Sequence, residues 1–211
     1  MSIINVHIEP HYALVGVDTA GTVFEPNGKP GGADLQKAVI LGNVLVGGRG
    51  NLSLYAFLAS SLMSQPTRWS VDTLMSRLKE QCYRALHGYE QYMQFAYPGS
   101  EVPPAAVGLE ITIVGWSDSF GMMTGAVASL QADGTFTVDR IDHACAAPGV
   151  WGAEDIPDMS TAEAMATAME AQMEGFAASD PEAPIGGQAV FYQLTPTEIR
   201  QLAPINLATS R

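Results

Sequence analysis

A chain of 211 residues in which 47% are hydrophobic and only 15% charged has ample apolar material for a core and too little charge for disorder. Its net charge of −12, from 22 acidic against 10 basic residues, argues against nucleic acid and against an anionic membrane surface, because phosphate contacts need clustered Lys and Arg. The only lysines are Lys29, Lys37 and Lys79.

No segment carries the ~18 consecutive apolar residues of a membrane span, and no basic region followed by an apolar run and a cleavage site opens the chain. A cytoplasmic protein is expected. Few lysines beside abundant Ala, Gly and Met point to a surface partly covered by partner subunits. Cys82 and Cys145 lack metal-ligand spacing and read as buried free thiols.

In chain order, residues 2–9 read as a strand with Ile4, Val6 and Ile8 on one side, while Ser2, Ile3 and His7 are set on the other. A turn at Pro10 follows, and Ala13–Val17 is a continuous apolar run suited to a strand buried on both faces, ending in Asp18. Thr19 to Asp34 is rich in Gly and Pro and reads as a loop. Lys37 precedes two short apolar runs, Ala38–Leu41 and Val44–Val46, whose Gly42-Asn43 junction signals a hairpin running out into Gly47-Gly48-Arg49-Gly50.

Asn51 is suited to cap a helix reaching Ser64, with Leu54, Leu58 and Leu62 four apart. Ser70 caps a second helix to about Met93, on which Val71, Leu74, Leu78, Cys82 and Leu86 share a face. Prolines between Tyr97 and Pro104 break the chain. Strands are expected over Leu109–Trp116, Met122–Gln131 and, after a turn at Asp133-Gly134, Thr135–Ile141. Ser160-Thr-Ala-Glu163 is a capping box opening a helix with Met165, Met169, Met173 and Phe176 on one face. A strand over Gln188–Leu194 follows, and Thr195-Pro-Thr-Glu198, a second capping box, predicts a short final helix. Two β blocks separated by a helix pair, with helix after the second, suit two stacked sheets covered by helices on both outer faces.

This order and several local signatures resemble the proteasome-type subunits of the N-terminal-nucleophile hydrolases, including the bacterial heat-shock peptidase, over nearly the whole chain. Ser2 falls where the family has its N-terminal threonine, and Asp18, sixteen positions on, where it has its buried aspartate. Lys37 stands at the place of the family lysine. Gly47-Gly48-Arg49-Gly50 resembles the turn whose backbone N–H forms the oxyanion hole, with Gly48 the best match. The resemblance implies an α+β, four-layer αββα sandwich formed by residues 1–211 as a single domain. It further implies a homo-oligomeric ring and a peptide or amide substrate, with no cofactor or metal; whether an ATPase partner exists is left open.

With Met1 removed, Ser2 would carry its hydroxyl beside its own α-amine, a nucleophile next to a possible base. The amine, of reference pKa roughly 8, takes the hydroxyl proton near neutrality. Lys37 holds a positive charge nearby, Asp18 compensates it, and a glycine N–H stabilises the oxyanion. Family members usually carry a serine after the third meander strand, where this chain has Ala146-Ala147-Pro148-Gly149. They carry an aspartate and a serine before the double glycine, where it has Glu182 and Ile185. Ala and Ile cannot hydrogen-bond the amine, which motivates the alternative of a catalytically silent ring-forming scaffold or binding subunit. The four histidines are scattered, and no phosphate-loop, dinucleotide or H-E-x-x-H motif occurs.

Overall fold

A computed structural model describes residues 2–24, 30–66, 68–96, 98, 109–149, 151, 155–177 and 187–207; at 22–24, 30–32 and 177 it describes the backbone alone. Among the described residues the architecture is α+β, three helices with antiparallel sheets. In chain order it runs β1 (Ile4–Glu9), β2 (Tyr12–Asp18), β3 (Ala20–Phe24), β4 (Pro30–Asp34), β5 (Ala38–Leu41), β6 (Val44–Arg49), α1 (Leu52–Ser64) and α2 (Val71–Ala96). It continues with β7 (Glu110–Ser117), β8 (Met122–Leu130), β9 (Phe136–Ile141), β10 (Ala144–Ala147), α3 (Ala162–Ala177), β11 (Gln188–Leu194), β12 (Ile199–Gln201) and β13 (Ile205–Asn206). One sheet orders β10-β1-β2-β11-β12, with β13 also on β11; the other orders β5-β6-β7-β8-β9. No helix among the described residues is long and apolar enough to cross a membrane.

The alternation in the sequence explains which faces meet. Ile4, Val6 and Ile8 of β1 and Ala13, Val15 and Val17 of β2 share a core with Ala38, Leu45 and Val114 of the other sheet. Leu14 and Phe191 point the opposite way and pack with Ile3 against Met165, Met169 and Met173 of α3. The run Ala13–Val17 is therefore apolar throughout because both of its faces are covered, each buried Val or Leu contributing about 1.5–3 kcal/mol. The far face of the second sheet takes α1 and α2 through Leu54, Leu58, Leu62, Leu74 and Leu78, which meet Ile111 and Ile113.

Three segments depart from the sequence expectation. Thr19 to Asp34 holds a two-stranded ribbon, β3 with β4, paired from Ala20↔Asp34 to Phe24↔Pro30, in place of a loop; residues 25–29 lie outside the described residues. Backbone pairing needs no particular side chains, and Pro30 sits at a strand start, where its missing N–H is tolerated. Ala144–Ala147 forms β10 on the edge of the first sheet, although small residues give little strand signal. After Thr195 the chain makes a turn instead of a helix. Thr195 Oγ1 accepts from Glu198 N–H at 3.2 Å, as a helix cap would, but Thr195 N–H donates to the Glu198 carbonyl and β12 folds back on β11. Pro204 leaves a helix little room, and Leu202 and Ile205 find apolar cover against the α3 core.

The helix starts match their sequence signals. Ser70 Oγ accepts from Thr73 N–H at 3.2 Å, while the third helix is capped one residue later than the box suggests, by Thr161 Oγ1 accepting from Ala164 N–H at 3.1 Å. Asn51, with extended backbone, accepts from Leu54 N–H at 3.0 Å and so stops β6 from running on and begins α1. Replacing that cap with Asn51→Ala is expected to lower unfolding free energy by about 1 kcal/mol in urea titrations, whereas Asn51→Asp keeps the acceptor and most of the stability.

Candidate functional site

The β1–β2 hairpin sets Ile4 opposite Val17, which brings Asp18 alongside the segment that precedes β1. Ile3 N–H donates to Asp18 Oδ1 at 2.6 Å, and Asp18 N–H donates to the Ile3 carbonyl at 3.2 Å. The carboxylate thus fixes the main chain one residue from Ser2, itself only 5% exposed. Lys37, just ahead of β5, places its ammonium 2.8 Å from the same Oδ1, with both side chains fully buried. A second ammonium proton goes to the Ala20 carbonyl.

Burial pushes the Asp18 carboxyl up and the Lys37 ammonium down from their ordinary values, and the contact between them opposes both shifts. Asp18 Oδ2 has no partner among the described residues. No hydrogen bond joins the Ser2 hydroxyl to the Lys37 ammonium, whose bonds go to Asp18 and Ala20.

Gly48 has a different role from the one the resemblance assigns. Its N–H donates to the Lys37 carbonyl at 2.9 Å and is therefore not open to an oxyanion. A β-carbon at Gly48 would overlap the Tyr55 ring, whose hydroxyl donates to the Val46 carbonyl at 3.0 Å, so the close approach of α1 to β6 accounts for the glycine. Two residues on, Gly50 has φ of +88°, a left-handed turn conformation that glycine takes without strain. Arg49, between them, pairs with Glu110.

Among the described residues, one cleft lies beside Lys37 and a second lies along β8, β9 and β10. The first, of about 390 Å³, is lined by Lys37 together with Val17, Thr19, Leu35, Tyr192 and Gln201. The larger, of about 660 Å³, is walled by Glu110, Asp139, His143, Cys145, Ala147 and Gly149. Burial pushes the Cys145 thiol up to about 11, and that of Cys82 up to about 12, so neither is a ready thiolate. His7 lies 3.3 Å from Glu9, His11 stacks on Trp116, and His87 bonds Gln91 at 2.9 Å. Among the described residues no three His, Cys, Asp or Glu side chains gather as a metal site. Glu182 and Ile185 lie outside the described residues.

A buried amide chain was not anticipated from sequence. Asn5 Nδ2 donates to Gln172 Oε1 at 2.7 Å, and Gln172 Nε2 donates to the Pro148 carbonyl at 2.9 Å. The available signal was a polar side chain on the Met165–Met169–Met173 stripe of α3, where an apolar one belongs.

Removing one member of a buried ion pair strands the other in a low-dielectric site. Asp18→Asn or Lys37→Met alone is expected to cost about 3–5 kcal/mol in denaturant unfolding, and the double variant less than either single one. Gly48→Ala is expected to cost about 1–3 kcal/mol by overpacking against Tyr55, and Tyr55→Leu in the same chain to recover part of the loss. No model of a known protein family matches this chain, and no curated protein matches it.

Proposed function

We propose that the chain is a proteasome-type N-terminal-nucleophile hydrolase subunit that cleaves amide bonds through Ser2, exposed by removal of Met1. The observation that carries this reading is the buried Asp18–Lys37 pair anchored to the backbone N–H of Ile3, next to Ser2. Such a pair is a costly feature for stability alone, since desolvating two ions offsets their attraction. In this reading the three cores stack as four layers: α1 with α2, the β5–β9 sheet, the sheet containing β1 and β2, and α3.

The Ser2 hydroxyl attacks the substrate carbonyl while its α-amine takes the proton and delivers it to the leaving nitrogen. The resulting ester is hydrolysed by a water activated by the same amine. Lys37 lowers the proton affinity of the hydroxyl through its charge, and Asp18 holds Lys37 in place. The remaining candidate is the N–H of Gly50, two residues beyond Gly48 and just past the end of β6. We assign the oxyanion to it. Subunits of this type form homo-oligomeric rings, and a single symmetric particle is the expected assembly.

A second reading, a catalytically silent scaffold or binding subunit of the same fold, is favoured by the burial of Ser2 and by the committed N–H of Gly48. An acylating probe such as a β-lactone separates the two. The active reading expects one adduct, mapped to Ser2 and absent in Ser2→Ala. Lys37→Met should slow it by roughly a hundredfold or more, the scale of losing one electrostatic contact at a developing charge. Only the unprotonated amine accepts the proton, so the rate should rise with pH and level off once the amine is deprotonated. A folded, homogeneous oligomer that takes no adduct at Ser2 supports the silent subunit.

A further inference from the structure

Pro148 and Gly149 leave the sheet directly after β10, whose last pair with β1 is Ile4↔Ala147, two residues from Ser2. The ladder ends there because Pro148 has no N–H to donate. Strand pairing therefore cannot hold this segment, yet Ala147 and Gly149 form part of the wall of the larger cleft. What holds it is Gln172, whose Nε2 donates to the Pro148 carbonyl while its Oε1 accepts from Asn5. Asn5 and Gln172 are both 0% exposed and lie among Ile3, Met169 and Met173. Two amides in such surroundings are less favourable than two leucines unless their bonds fix something that apolar contact would leave free.

We infer that Gln172 is a positioning residue: through the Pro148 carbonyl it holds the cleft wall at Pro148–Gly149 where the chain leaves β10, and Asn5 sets the orientation of its amide. The inference rests on the reading of Ser2 as nucleophile. Gln172 touches neither the nucleophile nor its proton; it governs where the substrate carbonyl comes to rest relative to Ser2. Loss of the bond should slow acylation at saturating probe and leave the half-saturating concentration nearly unchanged.

The substitution Gln172→Glu tests this with pH as the switch. A protonated glutamic acid replaces both bonds, donating O–H to the Pro148 carbonyl and accepting from Asn5; its carboxylate cannot donate. Burial raises a carboxyl above its usual value of about 4.3, so the variant should be protonated at mildly acidic pH and ionised in the alkaline range. Other titratable groups on the elements packed around position 172 are His7 and Glu9 of β1, Tyr12 and Asp18 of β2, Cys145 of β10, Asp158 ahead of α3, and Glu163, Glu170 and Glu174 on α3 itself. They are common to both proteins, so the ratio of variant to wild type isolates position 172.

The measurement is the rate of Ser2 acylation by a β-lactone probe in the mature oligomer, taken from pH about 5 to about 8.5 at a temperature where circular dichroism shows both proteins folded. The ratio should lie within about twofold of unity at the acid end and fall roughly tenfold or more at the alkaline end, as the carboxyl ionises. Gln172→Met, which makes neither bond, should be slow at every pH. A ratio that stays flat with pH, or a folded Gln172→Met protein acylated at the wild-type rate, overturns the proposal. If wild-type Ser2 takes no adduct, the nucleophile reading fails separately, and amide exchange decides the positioning role. The N–H groups of Ala147 and Gly149 should then exchange faster in Gln172→Glu only at alkaline pH, and unchanged exchange refutes it.

Discussion

The contact on which the rest of the arrangement depends is the buried ion pair of Asp18 and Lys37. It links the end of β2 in one sheet to the residue that leads into β5 of the other, so it ties the two sheets at one edge of their shared core. The same carboxylate oxygen takes the Ile3 N–H, and the same lysine offers its carbonyl to Gly48 and a proton to the Ala20 carbonyl. Three chain segments, the N-terminal residues, the entry to β3 and the start of β5, are thus fixed by one pair of side chains, and the Lys37 backbone carbonyl holds the end of β6. A pair of leucines would bury more apolar surface at lower cost, but it would not orient those three backbone segments.

The glycines around this pair answer to packing as much as to chemistry. Gly48 lets α1 approach β6 so closely that the Tyr55 ring covers it, and Gly16 lies against Met165 and Phe191, where α3 meets β2. Each helix comes down on its sheet at a position without a side chain. The larger cleft lies between β10 and the β7–β9 face. The Asn5–Gln172–Pro148 chain then reaches from α3 to the wall of that cleft, giving the third core a link to the site that its methionines alone could not make.

Much of this is written locally in the sequence. The 3-4 spacing of α2, the alternation of β1 and the capping side chains of Asn51 and Ser70 each specify their element without help from distant residues, and each is found where its signal lies. The departures come where local signals are shared or silent. A Thr195 hydroxyl accepting from the N–H three residues on serves a turn as well as a helix cap, and the sheet edge offered by β11 decided between them. Gly-rich β3–β4 and Ala-rich β10 are held by backbone pairing, which leaves no mark on side-chain pattern. Within the candidate site, Asp18 and Lys37 were singled out by the resemblance to the N-terminal-nucleophile hydrolases, and the two side chains pair. The bonds that matter to Gly48 and Gln172 were not legible, because their partners are brought in by sheet registry and by packing across distant parts of the chain.

The central claim is that the mature chain begins at Ser2, with a free α-amine beside the hydroxyl and the Asp18–Lys37 pair. Intact-mass measurement of the purified protein, with its N-terminal peptide sequenced by fragmentation, tests this most directly. The account predicts a chain lighter by one methionine residue, with an unblocked Ser2 as its first residue. A mature chain that retains Met1, or carries an acyl group on the Ser2 nitrogen, would contradict it.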